Sequence, residues 1–289
     1  MALSFSFELF PPRTPEGVAK LPAVIERLAA LRPDYFSVTY GAGGSTQDGT
    51  YQTLMKVVEH AGMEAAPHLT CVGSTREHVA ELLDRYREAG IRRIVALRGD
   101  LPATAMSPAA PGEFHYAIEL VRFIRERHGD AFRIEVAAYP EMHPQAASPS
   151  ADFEHFCRKV EAGADAALTQ LFYNADAYFD FMERCEKAGI RIPIVPGIMP
   201  ITGYANTVRF CNGCGADLPR WVRLRLEELQ DDKAAMVGFG VEVVTRLCET
   251  LLRNGAPGLH FYTINQAEAT TRLWKNLGLE RYQRTAAGA

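Results

Sequence analysis

A helix that ends on Ala-Gly and passes within a few residues into a short run of small or β-branched apolar residues occurs four times in the chain. The copies are HAGMEAAPHLT from His60, EAGIRRIVALRGD from Glu88, EAGADAALTQLFY from Glu161 and KAGIRIPIVPGIMP from Lys187. Glycine just past a helix adopts the left-handed conformation without a Cβ clash, so Ala-Gly reads as a helix stop. Upstream of the second copy, Val79, Leu82, Leu83 and Tyr86 fall at helical spacing, and Ser74 with Glu77 is the expected capping box. Looser copies predict strands over Arg133–Pro140 and Gly258–Asn265, and further strands fall at Ser4–Phe10 and Tyr35–Ala42. Eight strands alternating with helices require parallel pairing with the helices packed outside. In 289 residues that pattern predicts a single-domain α/β (β/α)8 TIM barrel spanning 1–289, its core about 4–279 and a tail at 280–289. An open doubly wound sheet is the alternative. It is disfavoured because Gly41–Thr46, GAGGST, lacks the third glycine of a dinucleotide fingerprint. The last crossover, Pro200 to Ala256, holds extra helical pattern at Ala205–Asn212 and Arg220–Leu229.

Composition matters mainly for what it excludes. A net charge of −4 and a pI near 6.1 give no electrostatic footprint for nucleic acid or an anionic membrane. No apolar run reaches the about 18 residues of a membrane span, and the N-terminus has no signal-peptide pattern. Six scattered cysteines, of which only Cys211 and Cys214 are closely spaced, predict reduced thiols and a cytoplasmic protein. The Cys211/Cys214 pair has no second pair with which to hold zinc.

A barrel carries its site at the C-terminal ends of its strands. Those ends are Glu8; Thr39, Tyr40, Gly41 and Ala42; His68 and Thr70; Arg98, Gly99 and Asp100; Tyr139, Glu141 and His143; Gln170 and Tyr173; Pro196, Gly197 and Pro200; Thr263, Asn265 and Gln266. Polar residues collect there, while the strand bodies read as mostly apolar. Each has an ordinary structural role open to it: a core histidine at His68, a rim ion pair between Arg98 and Asp100, a plain turn at Gly41–Gly44. Their shared position is what points to a mouth with a function. No strand ends in lysine, which disfavours Schiff-base chemistry. His68 and His143 could supply two metal ligands, but a third is missing. Carboxylates, an arginine, histidines, tyrosines and an amide suit an organic cofactor bearing phosphate, with a general acid beside it. A metal-using barrel lyase or methyltransferase, and a non-catalytic binding barrel, are the rival readings.

Eight motifs in order carry a family resemblance: Phe7–Arg13 (FELFPPR), Ser37–Ala42 (SVTYGA), Pro67–Cys71 (PHLTC), Ala96–Asp100 (ALRGD), Ala138–Pro144 (AYPEMHP), Thr169-Gln170, Pro196–Pro200 (PGIMP) and Leu259–Asn265 (LHFYTIN). Together they resemble the bacterial-type 5,10-methylenetetrahydrofolate reductases, from about Phe5 to Leu279. The resemblance implies a flavoprotein barrel that binds FAD, takes hydride from NADH or NADPH, and reduces methylenetetrahydrofolate to methyltetrahydrofolate in a ping-pong cycle that supplies methyl groups for methionine synthesis. It implies Glu8 as the general acid, kept protonated by burial among Phe5, Phe7, Leu9 and Phe10, and Asp100 as a carboxylate beside flavin and pterin. It implies cofactor contacts at Thr39, Tyr40, Ala42, His68, Arg98, Gly99, Asp100, Ala117, Tyr139, His143, Ala146, Asp152, His155 and Lys159. Substrate contacts are implied at Glu8, Thr39, Asp100, Gln170, Asn206, Phe210 and Gln266. Asn206 and Gln266 depart from a bacterial pattern of Gln and Arg, which removes one cation from the mouth. A homo-oligomer is also implied.

Overall fold

The computed structural model describes residues 3–40, 47–99 and 112–282. Nine parallel strands form one sheet: β1 (Ser4–Leu9), β2 (Tyr35–Val38), β3 (Glu64–Thr70), β4 (Arg93–Leu97), β5 (Arg133–Ala138), β6 (Ala166–Thr169), β7 (Ile194–Val195), β8 (Gly197–Ile198) and β9 (Gly258–Tyr262). Their order is β7-β6-β5-β4-β3-β2-β1-β9-β8. The two outermost members are halves of one stave. Pro196 has no N–H to give to a ladder, so the strand breaks there. Ile194 and Val195 pair with β6, and Gly197 and Ile198 pair with β9. The Pro196 carbonyl still accepts from His260 N–H at 2.9 Å. The cylinder therefore closes with eight staves, as the alternation predicts.

Helices α1 (Pro15–Ala29), α2 (Gln47–Ala61), α3 (Arg76–Glu88), α4 (Ala117–His128), α5 (Pro149–Glu161), α6 (Ala175–Lys187), α7 (Tyr204–Cys214), α8 (Arg220–Glu228), α9 (Lys233–Arg253) and α10 (Ala267–Asn276) surround it, and a short 3₁₀ turn follows at Leu279–Tyr282. Their ends follow local chemistry. Thr14 and Ser148 cap α1 and α5 ahead of a proline at the first helical position. Gly62, Gly90, Gly163 and Gly189, the glycines of the four repeats, all have φ between 61° and 113°. The expected capping box is displaced by one residue. Thr75, not Ser74, caps α3, accepting from His78 N–H, while Glu113 from a distant loop accepts from Arg76 N–H at 2.7 Å.

Alternation along the strands divides the core. Phe5 and Phe7 face outward onto Trp274 of α10, with ring centroids 5.5 and 5.4 Å away. The other parity points inward, and it is more polar than the strand sequences suggest. Tyr35 of β2 donates to Glu135 of β5 across the barrel at 2.7 Å. Arg93 of β4 bridges Glu135 at 2.6 Å and Glu64 of β3 at 3.1 Å, closing the N-terminal end of the cylinder. Val95, Leu168 and Val195, with Leu97 packed against them, make a small separate apolar cluster.

Candidate active site at the barrel mouth

Parallel pairing puts every strand's C-terminal end on one face. Glu8 stands at the end of β1 beside its neighbours β2 and β9. Its backbone is pinned from the last stave. Thr263 Oγ1 donates to the Glu8 carbonyl at 2.6 Å. The Asn265 side chain holds Phe10 at both its N–H (3.0 Å) and its carbonyl (2.8 Å). The clamp requires Ile264 and Asn265 to sit at φ of 52° and 50°, left-handed backbone that a β-branched residue rarely adopts.

The side chain of Glu8 is 18% exposed and lies 3.4 Å from His68 Nε2 and 3.7 Å from His260 Nε2. The expected apolar cradle is not there. Phe5, Phe7 and Leu9 lie on the opposite face of the same strand, buried against the helices, and Phe10 is 37% exposed. The neighbours of Glu8 are two imidazoles and, close by, the Tyr262 phenol. His68 is buried, and among the described residues its Nε2 has no hydrogen-bond partner. Burial pushes its pKa down, against the pull of the Glu8 carboxylate. The Tyr262 phenol is pushed far above its usual range by burial and by Glu8, and it donates to the Thr169 carbonyl at 2.5 Å. Gly197 leaves the space that this phenol crosses; a Cβ there would overlap its ring.

A second group of the expected residues lies along the rim from β4 to α5. Arg98 donates to the Gly99 carbonyl at 3.1 Å and to Gln145 Oε1 at 2.5 Å. Gly99 has φ 87°, and a Cβ there would meet Thr70 Cβ at 2.9 Å. Tyr139 and His143 pack edge to face with centroids 4.7 Å apart. Asp152, in the first turn of α5, accepts from His143 N–H at 2.9 Å, and the turn closes through Ala146 N–H to His143 O. Ala117 opens α4, and the exposed His155 stacks on Tyr116 with planes 13° apart. Lys159 sits one helical stretch further in, with Nζ 2.5 Å from the Ala137 carbonyl. Burial lowers its pKa to about 8, although Asp152 opposes the shift.

The pterin and nicotinamide expectations fall around the same mouth. Gln170 follows β6, with its Oε1 accepting from Leu171 N–H at 2.8 Å. It lines a narrow crevice with Tyr139, Glu141, Met142 and Cys214. Thr39 and Tyr40 follow β2, and the Thr39 carbonyl accepts from Thr50 Oγ1 at 3.0 Å. Phe210 lies on α7 under the Arg209 guanidinium, 5.3 Å from the ring centroid, and Asn206 is exposed one turn earlier. Gln266 is the exposed residue at the start of α10 and does not cap it with its side chain. Ala42 and Asp100 lie outside the described residues.

Sequence reasoning did not single out His260 and Tyr262, which β9 brings beside Glu8. Glu141, read as a strand-end group but given no role, is raised to about 6 by burial, with Asp217 N–H donating to it at 3.1 Å. Cys211 is raised to about 12 by burial, and Cys214 is raised as well, so both are thiols rather than thiolates at neutral pH. Among the described residues no three His, Cys, Asp or Glu side chains cluster in a way that could hold a metal, and no helix is long and apolar enough to cross a membrane. A larger open groove lies at the other end of the barrel, between α5 and the turn before β7, lined by Cys157, Glu161, Asp165 and Arg191.

Comparison with known proteins bears on this mouth. The family model described as methylenetetrahydrofolate reductase matches residues 2–278. A 5,10-methylenetetrahydrofolate reductase of Salmonella typhimurium is 40% identical over 277 residues, covering 96% of this chain and 91% of the relative. The Arabidopsis thaliana methylenetetrahydrofolate reductase (NADH) 1 is 37% identical over 286 residues, 96% of this chain but 48% of that longer protein. Among solved structures, a Clostridium thermocellum protein that binds two copies of 5-methyl-5,6,7,8-tetrahydrofolic acid shares the fold, with a TM-score of 0.67 at 16% identity, covering 98% of this chain and 96% of that one.

Proposed function

Because the chain belongs to the methylenetetrahydrofolate reductase family, and so reduces 5,10-methylenetetrahydrofolate to 5-methyltetrahydrofolate at the expense of NAD(P)H, we propose that Glu8 is its proton donor and that the rim from Arg98 to Lys159 holds FAD. When bound, FAD accepts hydride from the nicotinamide and passes it to the folate. The remaining chemistry belongs to the protein. The methylene carbon bridges N5 and N10 of the substrate, and it accepts hydride once the bond to N10 has opened. Glu8 supplies the proton: its Oε–H bond breaks, N10–H forms, and the electron pair of the C–N10 bond goes to N10, leaving an iminium at N5. Hydride then completes the methyl group. One proton and one hydride are consumed per turnover.

The observation that carries the acid assignment is where Glu8 stands. It is a mostly buried carboxyl at the mouth, its main chain clamped by Thr263 and Asn265, and among the described residues its ion-pair partners are two histidines, His68 and His260, with no lysine or arginine. The donor set of the rim fits a pyrophosphate. Arg98 is bonded to neutral oxygens, and Lys159 is a buried ammonium whose charge is disfavoured until an anion arrives. Gly99 brings backbone close to whatever lies on the rim. In this reading Asp152 takes ribose hydroxyls, Gln170 the amide edge of the pterin and Phe210 a stacked ring. Asp100, Thr39, Tyr40, Ala42, His68, Ala117, Tyr139, His143, Ala146, His155, Asn206 and Gln266 complete the proposed contacts.

Anaerobic stopped-flow on Glu8→Gln holoenzyme tests the assignment. NAD(P)H should bleach the flavin at close to the wild-type rate, and added methylenetetrahydrofolate should restore the absorbance at least ~100-fold more slowly. Recovery at the wild-type rate sinks the assignment. A protein purified without flavin, and unable to take up FAD, sinks the rim reading.

A further inference from the structure

Strand β9 ends at Tyr262, yet its grip on the first strand continues. The backbone register runs from Ser4 opposite Gly258 to Glu8 opposite Tyr262. Past that pair the β9 chain turns away, with Ile264 and Asn265 in left-handed backbone at φ 52° and 50°. Side chains then take over the ladder. Thr263 Oγ1 donates to the Glu8 carbonyl at 2.6 Å, where the Thr263 N–H reaches only to 3.4 Å. Two residues on, the Asn265 amide accepts from Phe10 N–H at 3.0 Å and donates to the Phe10 carbonyl at 2.8 Å. On the other flank the Leu9 carbonyl accepts from Thr39 N–H at 2.9 Å. The main chain from Glu8 to Phe10 is thus held from both neighbouring staves.

This turn carries more strain than a change of direction requires. Asparagine tolerates left-handed backbone, but a β-branched isoleucine rarely adopts it, and glycine would serve at either position if turning were the only task. Ile264 is kept there by packing against the main core. The turn is also braced internally: Thr263 Oγ1 accepts from Asn265 N–H at 3.2 Å, and the Thr263 carbonyl accepts from Gln266 N–H at 2.9 Å. Strain of this kind persists only where the surroundings over-determine it, and it gathers at functional sites. Beneath the clip, Phe7 and Leu9 are fully buried on the outer face of β1, so the strand cannot roll. The Glu8 side chain is left with little freedom beyond its own rotamers.

We infer that Thr263 and Asn265 are positioning residues for proton delivery: their side chains extend the β1–β9 ladder past the end of β9 and hold the main chain around Glu8, so that its carboxyl is presented at one fixed place in the mouth. The part given to Glu8 rests on the function proposed above. A clip that merely stabilised the barrel would serve both half-reactions alike. A positioning clip serves only the step that uses the carboxyl, because reduction of the flavin by nicotinamide takes no proton from Glu8. Misplacing a reacting group by about 1 Å costs up to about 100-fold in rate. Loss of the clip should therefore appear in the limiting rate of the folate half-reaction rather than in folate affinity.

The test is anaerobic stopped-flow on holoenzyme, with the two half-reactions followed separately. Asn265→Gly keeps the left-handed backbone and removes both bonds to Phe10. NAD(P)H should reduce its flavin within about twofold of the wild-type rate, while the limiting rate of reoxidation by saturating methylenetetrahydrofolate should fall about tenfold or more. In a Glu8→Gln background the same change should slow reoxidation by less than about twofold, since the group it positions is gone. Thr263→Val keeps the branched shape and loses the hydroxyl; it should show the same split, and Thr263→Ser should restore most of the rate. These two variants decide the matter if Asn265→Gly does not fold. Hydrogen exchange gives a readout apart from turnover: the Phe10 amide should be protected in wild type and exchange at least about tenfold faster in Asn265→Gly, with the amides of the β1 body unchanged. An unprotected Phe10 amide in wild type, equal slowing of both half-reactions, or the same slowing in the Glu8→Gln background overturns the positioning role. If Glu8→Gln slows reoxidation and the clip variants do not, the positioning role fails while the acid assignment stands. If Glu8→Gln reoxidises at the wild-type rate, the acid assignment fails and takes the positioning role with it.

Discussion

Lys159 gives the sharpest quantitative prediction, because the structure assigns it a cost in one state and a use in another. Held at about 8 instead of 10.5, a charged lysine costs the fold about 3 kcal/mol at neutral pH. Replacing it by methionine keeps an unbranched stem and good helix propensity. The change forfeits the bond to the Ala137 carbonyl, worth about 1 kcal/mol. The cofactor-free Lys159→Met protein should therefore be about 2 kcal/mol more stable than wild type at pH 7 by urea denaturation. The sign with pH is fixed by linkage. Below pH 8 the lysine is charged in both the folded and unfolded chain, and the full cost applies. Between about 8 and 10.5 the folded chain releases its proton while the unfolded chain keeps it, so wild type gains stability as pH rises and the gap closes. The same substitution should weaken FAD binding by about tenfold or more, since a charge-assisted contact to phosphate is lost. A variant less stable than wild type at pH 7, a gap that persists at pH 11, or an unchanged flavin affinity would each refute the reasoning.

The remaining predictions concern backbone and thiols. Thr75→Ala should cost about 1 kcal/mol in thermal or chemical denaturation, and Ser74→Ala less than about 0.5 kcal/mol, because only Thr75 caps α3. Gly197→Ala should cost more than about 2 kcal/mol, since the new methyl overlaps both the Thr169 carbonyl and the Tyr262 ring; a smaller loss would mean that β6 and β9 do not close this tightly on Gly197. Cys211, raised to about 12 by burial, should stay unmodified by iodoacetamide in native protein at pH 8 over hours and react at once on unfolding.

The parts of the fold that follow local rules were legible in the chain. Four Ala-Gly repeats announced helix ends, and all four glycines take the left-handed conformation. Period-two alternation along Ser4–Leu9 is enough to put Glu8 on the face of Ser6, away from Phe5 and Phe7. That same alternation argues against the apolar cradle expected for Glu8, because residues adjacent in sequence on a strand face opposite layers. The capping box slipped by one because Ser74 and Thr75 are adjacent hydroxyls, and a tertiary contact from Glu113 helps decide between them. The polar interior of the barrel was not legible. Tyr35, Arg93, Glu135 and His260 come from four strands, and their meeting depends on the register of a closed barrel. Reading each strand at the inward parity alone would have exposed them as an unusual polar column.

The stave order has a consequence for how the catalytic apparatus comes into being. The proposed phosphate-binding rim is drawn from one stretch, Arg98 to Lys159, whose strands β4 and β5 are neighbours in both sequence and space. Glu8 and His260 instead meet across the seam where the first strand joins the last, so the acid acquires its setting only when the two termini of the barrel come together. A half-assembled chain could hold nucleotide and still lack chemistry. Circular permutation that joins the native ends and opens the chain between β4 and β5 would reverse this order, making the β1–β9 seam a local contact and dividing the proposed rim between the two ends of the chain.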